Sequence, residues 1–243
     1  MEGLELLAAV RIPGAHPPTL AGCFAMAPFA GRVREARFEW RGEAYDLPAH
    51  AAPHAIHGTS VDVGWDVVGV TRSSVVLEHD LYGAWPFEGV VRAELVLMPG
   101  GLDARLSLQA REDMPVVLGW HPWFRRQLSR GGPVVVQVAA AQQYERGPDG
   151  LPTGRLVAPT RGPRDDCFVG LREPPRLLWP GAMELTLTSS ADHWVVFDEH
   201  PDAVCVEPQT GPPDAFRLGR AAVVGAGETL GLTMGLQWNP PSE

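Results

Sequence analysis

The stretch VVRAELVLMPGGLDARLSLQA, residues 90–110, decides the fold class. On both sides of Pro99-Gly100-Gly101 it alternates apolar and polar positions, the period-two pattern of a strand with one buried face. Two such runs joined by a Pro-Gly-Gly turn read as a β-hairpin. Working outward, RVREARFEWRG (32–42) reads as one strand entering a turn at Gly42, and VGWDVVGVTRSSVVLEHDL (63–81) as two strands around Thr71 to Ser74. Further strands are expected at 116–120, 133–138, 183–189, 193–197, 203–206, 221–224 and 229–234. The Val-rich opening of VVVQVAAAQQYE and the GPDG that follows fit a strand running into a turn better than a helix. No stretch reads as a helix of twelve residues or more.

Many short strands among 27 glycines and 24 prolines point to an antiparallel sandwich or barrel. The proline-rich segments 159–163 and 173–180 have no compositional change on either side. They read as loops inside one domain spanning residues 1–243, with QWNPPSE at the end as a frayed tail. No motif recurs at a fixed spacing, which excludes a propeller or solenoid reading.

A chain of 243 residues with 45% apolar and 20% charged residues has enough material for a sizeable core. Its formal charge of −9 leaves no basic footprint for nucleic acid. All 20 basic residues are arginine, so Schiff-base chemistry by a lysine is excluded. Cysteines stand only at 23, 167 and 205, too sparse for a zinc knuckle or a disulfide framework and compatible with a reducing compartment. Neither a signal segment nor an apolar run of membrane-spanning length is present, so a cytoplasmic protein without a membrane partner is expected.

Polar and aromatic residues gather at four places: MAPFAGRV (26–33) with Arg32, HAAPHAIHG (50–58) with His50, His54 and His57, GWHPWFRR (119–126) with His121, and VCVEPQTGPPDAF (204–216) with Glu207. A carboxylate leaving an apolar strand is partly desolvated and becomes a stronger base near neutral pH, but on residue type and position alone Glu207 reads more readily as a strand-end residue facing solvent. His121 reads as a packed neighbour of Trp120 and Trp123 or as a proton donor. The histidines at 50, 54 and 57 suggest a metal, yet their spacing is not that of a helical zinc motif and Pro48 and Pro53 place them on a loop. Asp165 and Asp166 are adjacent, so in an extended segment they point to opposite faces, one toward a pocket and one toward solvent. Trp65, Trp85, Trp120 and Trp123 are core or ligand-stacking residues.

Taken in order, MAPFAGRV, AIHG, GWHPWF, RDDCF and CVEPQTGPPDAF resemble the aldose 1-epimerase (galactose mutarotase-like) family across roughly residues 24–216. The resemblance implies a large antiparallel β-sandwich, the galactose mutarotase-like supersandwich, with N-terminal strands shortened and a sugar in a shallow groove on one sheet. It implies a cofactor-independent reaction without a metal, on a small-molecule sugar, in a monomer or homodimer. On matching positions Glu207 is the implied base at the C1 hydroxyl and His121 the implied acid at the ring oxygen, standing on opposite sides of the reacting group. His57 assists at the ring, and Arg32 and Asp165 hold sugar hydroxyls. Trp123 is a candidate wall for the ring's apolar face. Pro53-His54 stands where many relatives have Asn-His, and Trp123 where Tyr is common. An inactive carbohydrate-binding protein on the same fold is the alternative reading. An epimerase acting on a phosphorylated hexose is another, with Arg125 and Arg126 as candidate phosphate contacts.

Overall fold

The hairpin at the centre of the sequence forms as Gly89–Met98 and Gly101–Ala110, paired from Gly89↔Ala110 to Met98↔Gly101. Gly100 turns the corner at φ +75°, a left-handed conformation open to glycine at little cost. Ala104, Leu106, Leu108 and Ala110 are buried while Asp103, Arg105 and Gln109 are exposed, the alternation anticipated from the sequence. In the computed structural model, which describes residues 4–8 and 22–239, this hairpin lies within an eight-stranded antiparallel sheet. The spatial order is Val135–Gln137, Arg176–Trp179, Met183–Ser189, Thr229–Asn239, Gly101–Ala110, Gly89–Met98, Ser74–Leu81 and Asp66–Val70.

A seven-stranded antiparallel sheet supplies the other layer: Cys23–Met26, Gly119–Arg125, Ala203–Gln209, His193–Phe197, Asp165–Leu171, Ala140–Arg146 and Pro152–Val157. One apolar cluster joins the two layers, with Trp120, Phe124, Trp194, Val204 and Val206 from the seven-stranded sheet and Leu106, Leu108, Leu185, Leu187 and Leu232 from the eight-stranded one. Each fully buried leucine contributes about 1.5–3 kcal/mol by leaving water. The two sheets thus form the expected all-β sandwich. The longest α-helix among the described residues is Ala215–Leu218, and none is long and apolar enough to cross a membrane.

Several expected elements differ in detail. Residues 32–42 are not one strand: Arg32–Val33 and Arg37–Trp40 are separated by a 3-10 turn in which Glu35 and Ala36 both adopt φ +51°. The span 116–120 straddles Met114–Val116, which pairs with Ala222–Val224, and Gly119–Arg125. Segment 173–180 contains the strand Arg176–Trp179 despite its flanking prolines. Gln237 to Asn239, assigned to a frayed tail, continue the strand and pair with Thr186 to Glu184; residues 240–243 of that tail lie outside the described residues.

Strand parity in the seven-stranded sheet positions the functional side chains. In Gly119–Arg125 the even residues Trp120 and Phe124 enter the sandwich core, so His121 and Trp123 face outward. In Ala203–Gln209 Val204 and Val206 enter the core, and Cys205, Glu207 and Gln209 face outward.

Candidate active site

Neighbouring strands bring distant sequence into two transverse rows on that outer face. Phe24 pairs with His121, and the pairs Gly119↔Gln209 and Trp123↔Cys205 set His121 against Glu207 between them. Glu207 pairs with Val195 and Val195 with Cys167, completing the first row. The second row runs Trp123, Cys205, Phe197, Asp165. Asp165 is therefore two strands from Cys205, about 10 Å across the sheet.

Arg32, His57, His121, Trp123, Asp165 and Glu207 all line one groove of about 300 Å³. Its walls come from loops tied to one another. His57 N–H donates to the Gly31 carbonyl, Asp214 N–H to that of Arg32, and Thr59 N–H and Ser60 N–H both donate to Ala27. His57 adopts φ +61° and Gly58 φ +80°. A Cβ on Gly58 would lie 2.0 Å from the Ala27 carbonyl oxygen, so only glycine fits behind His57.

The floor of the groove is almost sealed. Glu207 is 2% exposed and His121 5%, with Glu207 Oε1 and His121 Nε2 3.3 Å apart. The two side chains stand side by side on adjacent strands, and Glu207 lies inside its strand rather than at a solvated end. The His121 ring is held between Phe24, stacked at 4.6 Å, and Trp123, stacked at 5.2 Å, with His57 edge-on at 4.7 Å. Gln209 Nε2 donates to Glu207 Oε2 at 3.1 Å. At the open end Arg32 and Asp165 approach within 3.5 Å.

Burial pushes the Glu207 carboxyl well above the usual carboxylate range, and the Asp165 charge adds to the rise; the Gln209 hydrogen bond and the Arg32 charge oppose it. Burial pulls the His121 imidazole down to about 3 and the His57 imidazole well below its ordinary value, with His121 and Arg32 adding to the latter. Burial thus favours the uncharged form of each group, a protonated carboxyl beside a neutral imidazole. Four buried polar atoms around this floor lack hydrogen-bond partners: His57 Nδ1, His121 Nδ1, Trp123 Nε1 and Gln209 Oε1. An interior leaves such atoms unmatched at a cost of about 1–3 kcal/mol each, which a hydroxyl-rich ligand would remove.

Residues 16–237 match the family described as aldose 1-epimerase. The chain belongs to the aldose 1-epimerase family. Among known proteins, the uncharacterized protein YphB of Escherichia coli strain K12 is 27% identical over 219 residues, which cover 81% of this chain and 75% of that protein. Two solved structures share the fold. A galactose mutarotase-like protein from Clostridium acetobutylicum superposes with a TM-score of 0.84 at 16% identity, covering 98% of this chain and 87% of that one. A galactose 1-epimerase from Lactobacillus acidophilus NCFM gives 0.78 at 16% identity, covering 99% and 87%.

For this member of the aldose 1-epimerase family, other sequence candidates fall away from the floor. His50 pairs with Asp62 at 3.3 Å on the groove rim, and His54 Nδ1 accepts the Glu35 N–H, so the three loop histidines do not converge on a metal. The His/Cys/Asp/Glu set that does converge among the described residues is His121, Cys205 and Glu207, with candidate ligand atoms within 4.8 Å of one another. Burial pushes the Cys205 thiol well above its ordinary range, leaving it a neutral neighbour of the pair. Asp166 does not meet solvent: it is buried and faces Arg146 at 3.4 Å. Arg125 and Arg126 lie outside the groove. Arg125 holds the Leu7 carbonyl and Glu5, and Arg126 holds the carbonyls of His200 and Asp198. Asp62, the rim partner of His50, and the stacking Phe24 carried no signal in the sequence. Gln209 had one, because it stands two residues from Glu207 in a strand.

Proposed function

We propose that this protein interconverts the α and β anomers of a free aldose by opening and reclosing its ring. The observation that carries the reading is the 3.3 Å separation of Glu207 Oε1 and His121 Nε2 on a buried floor. Ring opening takes a proton from the C1 hydroxyl and supplies one to the ring oxygen. Both oxygens are bonded to C1, so an acid and a base that serve them must also be neighbours. A pair holding one proton has one to give and one place to receive.

Passing the proton across the pair yields a carboxylate at Glu207 and an imidazolium at His121. Glu207 then accepts the C1 hydroxyl proton as the C1–ring-oxygen bond breaks, and His121 protonates the ring oxygen. Rotation about C1–C2 presents the other face of the aldehyde carbon, and the two residues exchange roles as the ring closes. No bond to the protein forms and no electrons leave the sugar. Around the pair, His57 supports the ring region, and Arg32 and Asp165 engage hydroxyls at the far end. Trp123, already stacked on His121, offers its edge and indole N–H to the sugar.

Freshly dissolved α-glucose and α-galactose, followed by polarimetry or proton NMR, test the reading. Faster anomer exchange than in buffer is expected for at least one aldose. Failure to accelerate any free or phosphorylated aldose in a panel, with folded protein, would overturn it.

A further inference from the structure

Gln209 is wholly buried, lines the groove and uses only half of its amide. Its Nε2 donates to Glu207 Oε2 at 3.1 Å, while its Oε1 is a buried acceptor with no partner. Parity places it one side-chain period along the strand from Glu207, on the same outward face, about 7 Å away along the backbone. Its cross-strand partner is Gly119. A Cβ there would meet Met26 Cε at 2.5 Å, Ala30 Cβ at 2.9 Å and Gln209 Cγ at 3.2 Å, so the wall behind the amide is closed.

The direction of the sugar follows from the pair. With the ring oxygen at His121 and O1 at Glu207, the remaining carbon on C1, which is C2, projects away from His121. The Glu207 carboxylate has the same polarity: Oε1 faces His121 and Oε2 faces Gln209. The next hydroxyl beyond O1 on that side belongs to C2. We infer that Gln209 Oε1 accepts the hydrogen bond of the substrate's 2-hydroxyl, so that Gln209 both orients the base and selects aldoses carrying a free hydroxyl at C2. The inference rests on the anomer-exchange reading and narrows it. A 2-deoxy sugar leaves the buried acceptor unmatched, and a 2-acetamido sugar brings bulk to a closed wall.

The test compares catalysed anomer exchange of glucose and 2-deoxyglucose, each divided by its own uncatalysed rate. The native protein is expected to favour glucose by about ten- to a hundred-fold in kcat/KM, the range for an unmatched buried acceptor. Gln209→Met keeps the volume but removes the acceptor and is expected to bring the ratio near one. Gln209→Glu keeps an oxygen in place and is expected to restore the preference. A purely structural role for Gln209 would lower both rates and leave the ratio untouched. A native ratio near one, or a large ratio surviving in a folded Gln209→Met variant, would overturn the inference while leaving anomer exchange itself intact. Absence of exchange with every aldose would instead remove the reading beneath it.

Discussion

Glu207 and His121 touch at 3.3 Å because two antiparallel strands place them directly opposite each other, with Val206 and Trp120 behind them in the core. Burial moves their proton affinities in opposite directions, the carboxyl up and the imidazole down to about 3. A solvated Glu–His pair at neutral pH would be a carboxylate beside a partly charged imidazole; here burial works against both charges.

Glu207→Gln should abolish most anomer exchange, by about a hundredfold or more, the usual scale of a general base. The same variant should be more stable than the parent above neutral pH. A carboxyl whose affinity is raised by folding contributes its stability below its ordinary range and loses it as pH rises through the raised value. Glutamine cannot ionise, so it escapes that loss. Each kcal/mol recovered raises Tm by about 2–4 °C in a chain of this size. Thermal melts of both proteins at pH 5 and pH 9 should show the gap opening at the higher pH.

His121 and His57 work in the opposite direction. Their folded affinities are depressed, so their stability is present above the ordinary imidazole range and fades as pH falls below about 6.5, for His121 until its folded value near 3. His121→Asn should lose exchange activity, yet its urea midpoint should fall less between pH 7 and pH 4.5 than that of the parent. Equal acid sensitivity in the two proteins would count against the buried, neutral imidazole.

Gly58→Ala should cost at least about 2 kcal/mol, since its Cβ would stand 2.0 Å from the Ala27 carbonyl oxygen at a φ of +80°. The damage should reach the groove through the adjacent His57. Denaturant unfolding measures the first effect, and a raised KM in the folded fraction the second.

Asp165→Asn should raise KM about tenfold with a smaller change in kcat, because Asp165 lies at the groove's far end beside Arg32 rather than at the proton-transfer pair. Steady-state kinetics on a sugar series separates the two constants.

Arg126→Ala should be a stability variant alone. Its Nε donates to the His200 carbonyl at 2.7 Å and its terminal nitrogen to that of Asp198, away from the groove. A loss of about 1–3 kcal/mol is expected, with exchange rate per folded molecule unchanged on free and phosphorylated hexoses alike.

The strands that alternate strongly were legible because period two survives wherever one face is buried: Gly101–Ala110 and Met183–Ser189 needed little beyond their own residues. Asp165–Leu171 was not, since both its faces are partly covered and the alternation fades, and the single strand read over VVVQVAAAQQYE hid the break between Val135–Gln137 and Ala140–Arg146. The residues of the site were legible as types, whereas their depth was not. Glu207 precedes a proline and resembles a strand end, but the flanking strands Gly119–Arg125 and His193–Phe197 cover it on either side. Asp166 looked solvated until Arg146, twenty residues earlier, was placed beside it. Burial depends on partners remote in sequence, and the proton affinities depend on burial.

Parity in Ala203–Gln209 also makes the chain a check on its own assembly. A slip of one residue would turn Glu207 toward the apolar core and push Val206 into the groove. An unpaired carboxyl among Trp120, Trp194 and Leu106 could not be held there. A shifted sheet therefore does not persist as a soluble, inert counterfeit, and the number of folded molecules in a preparation should equal the number of intact sites.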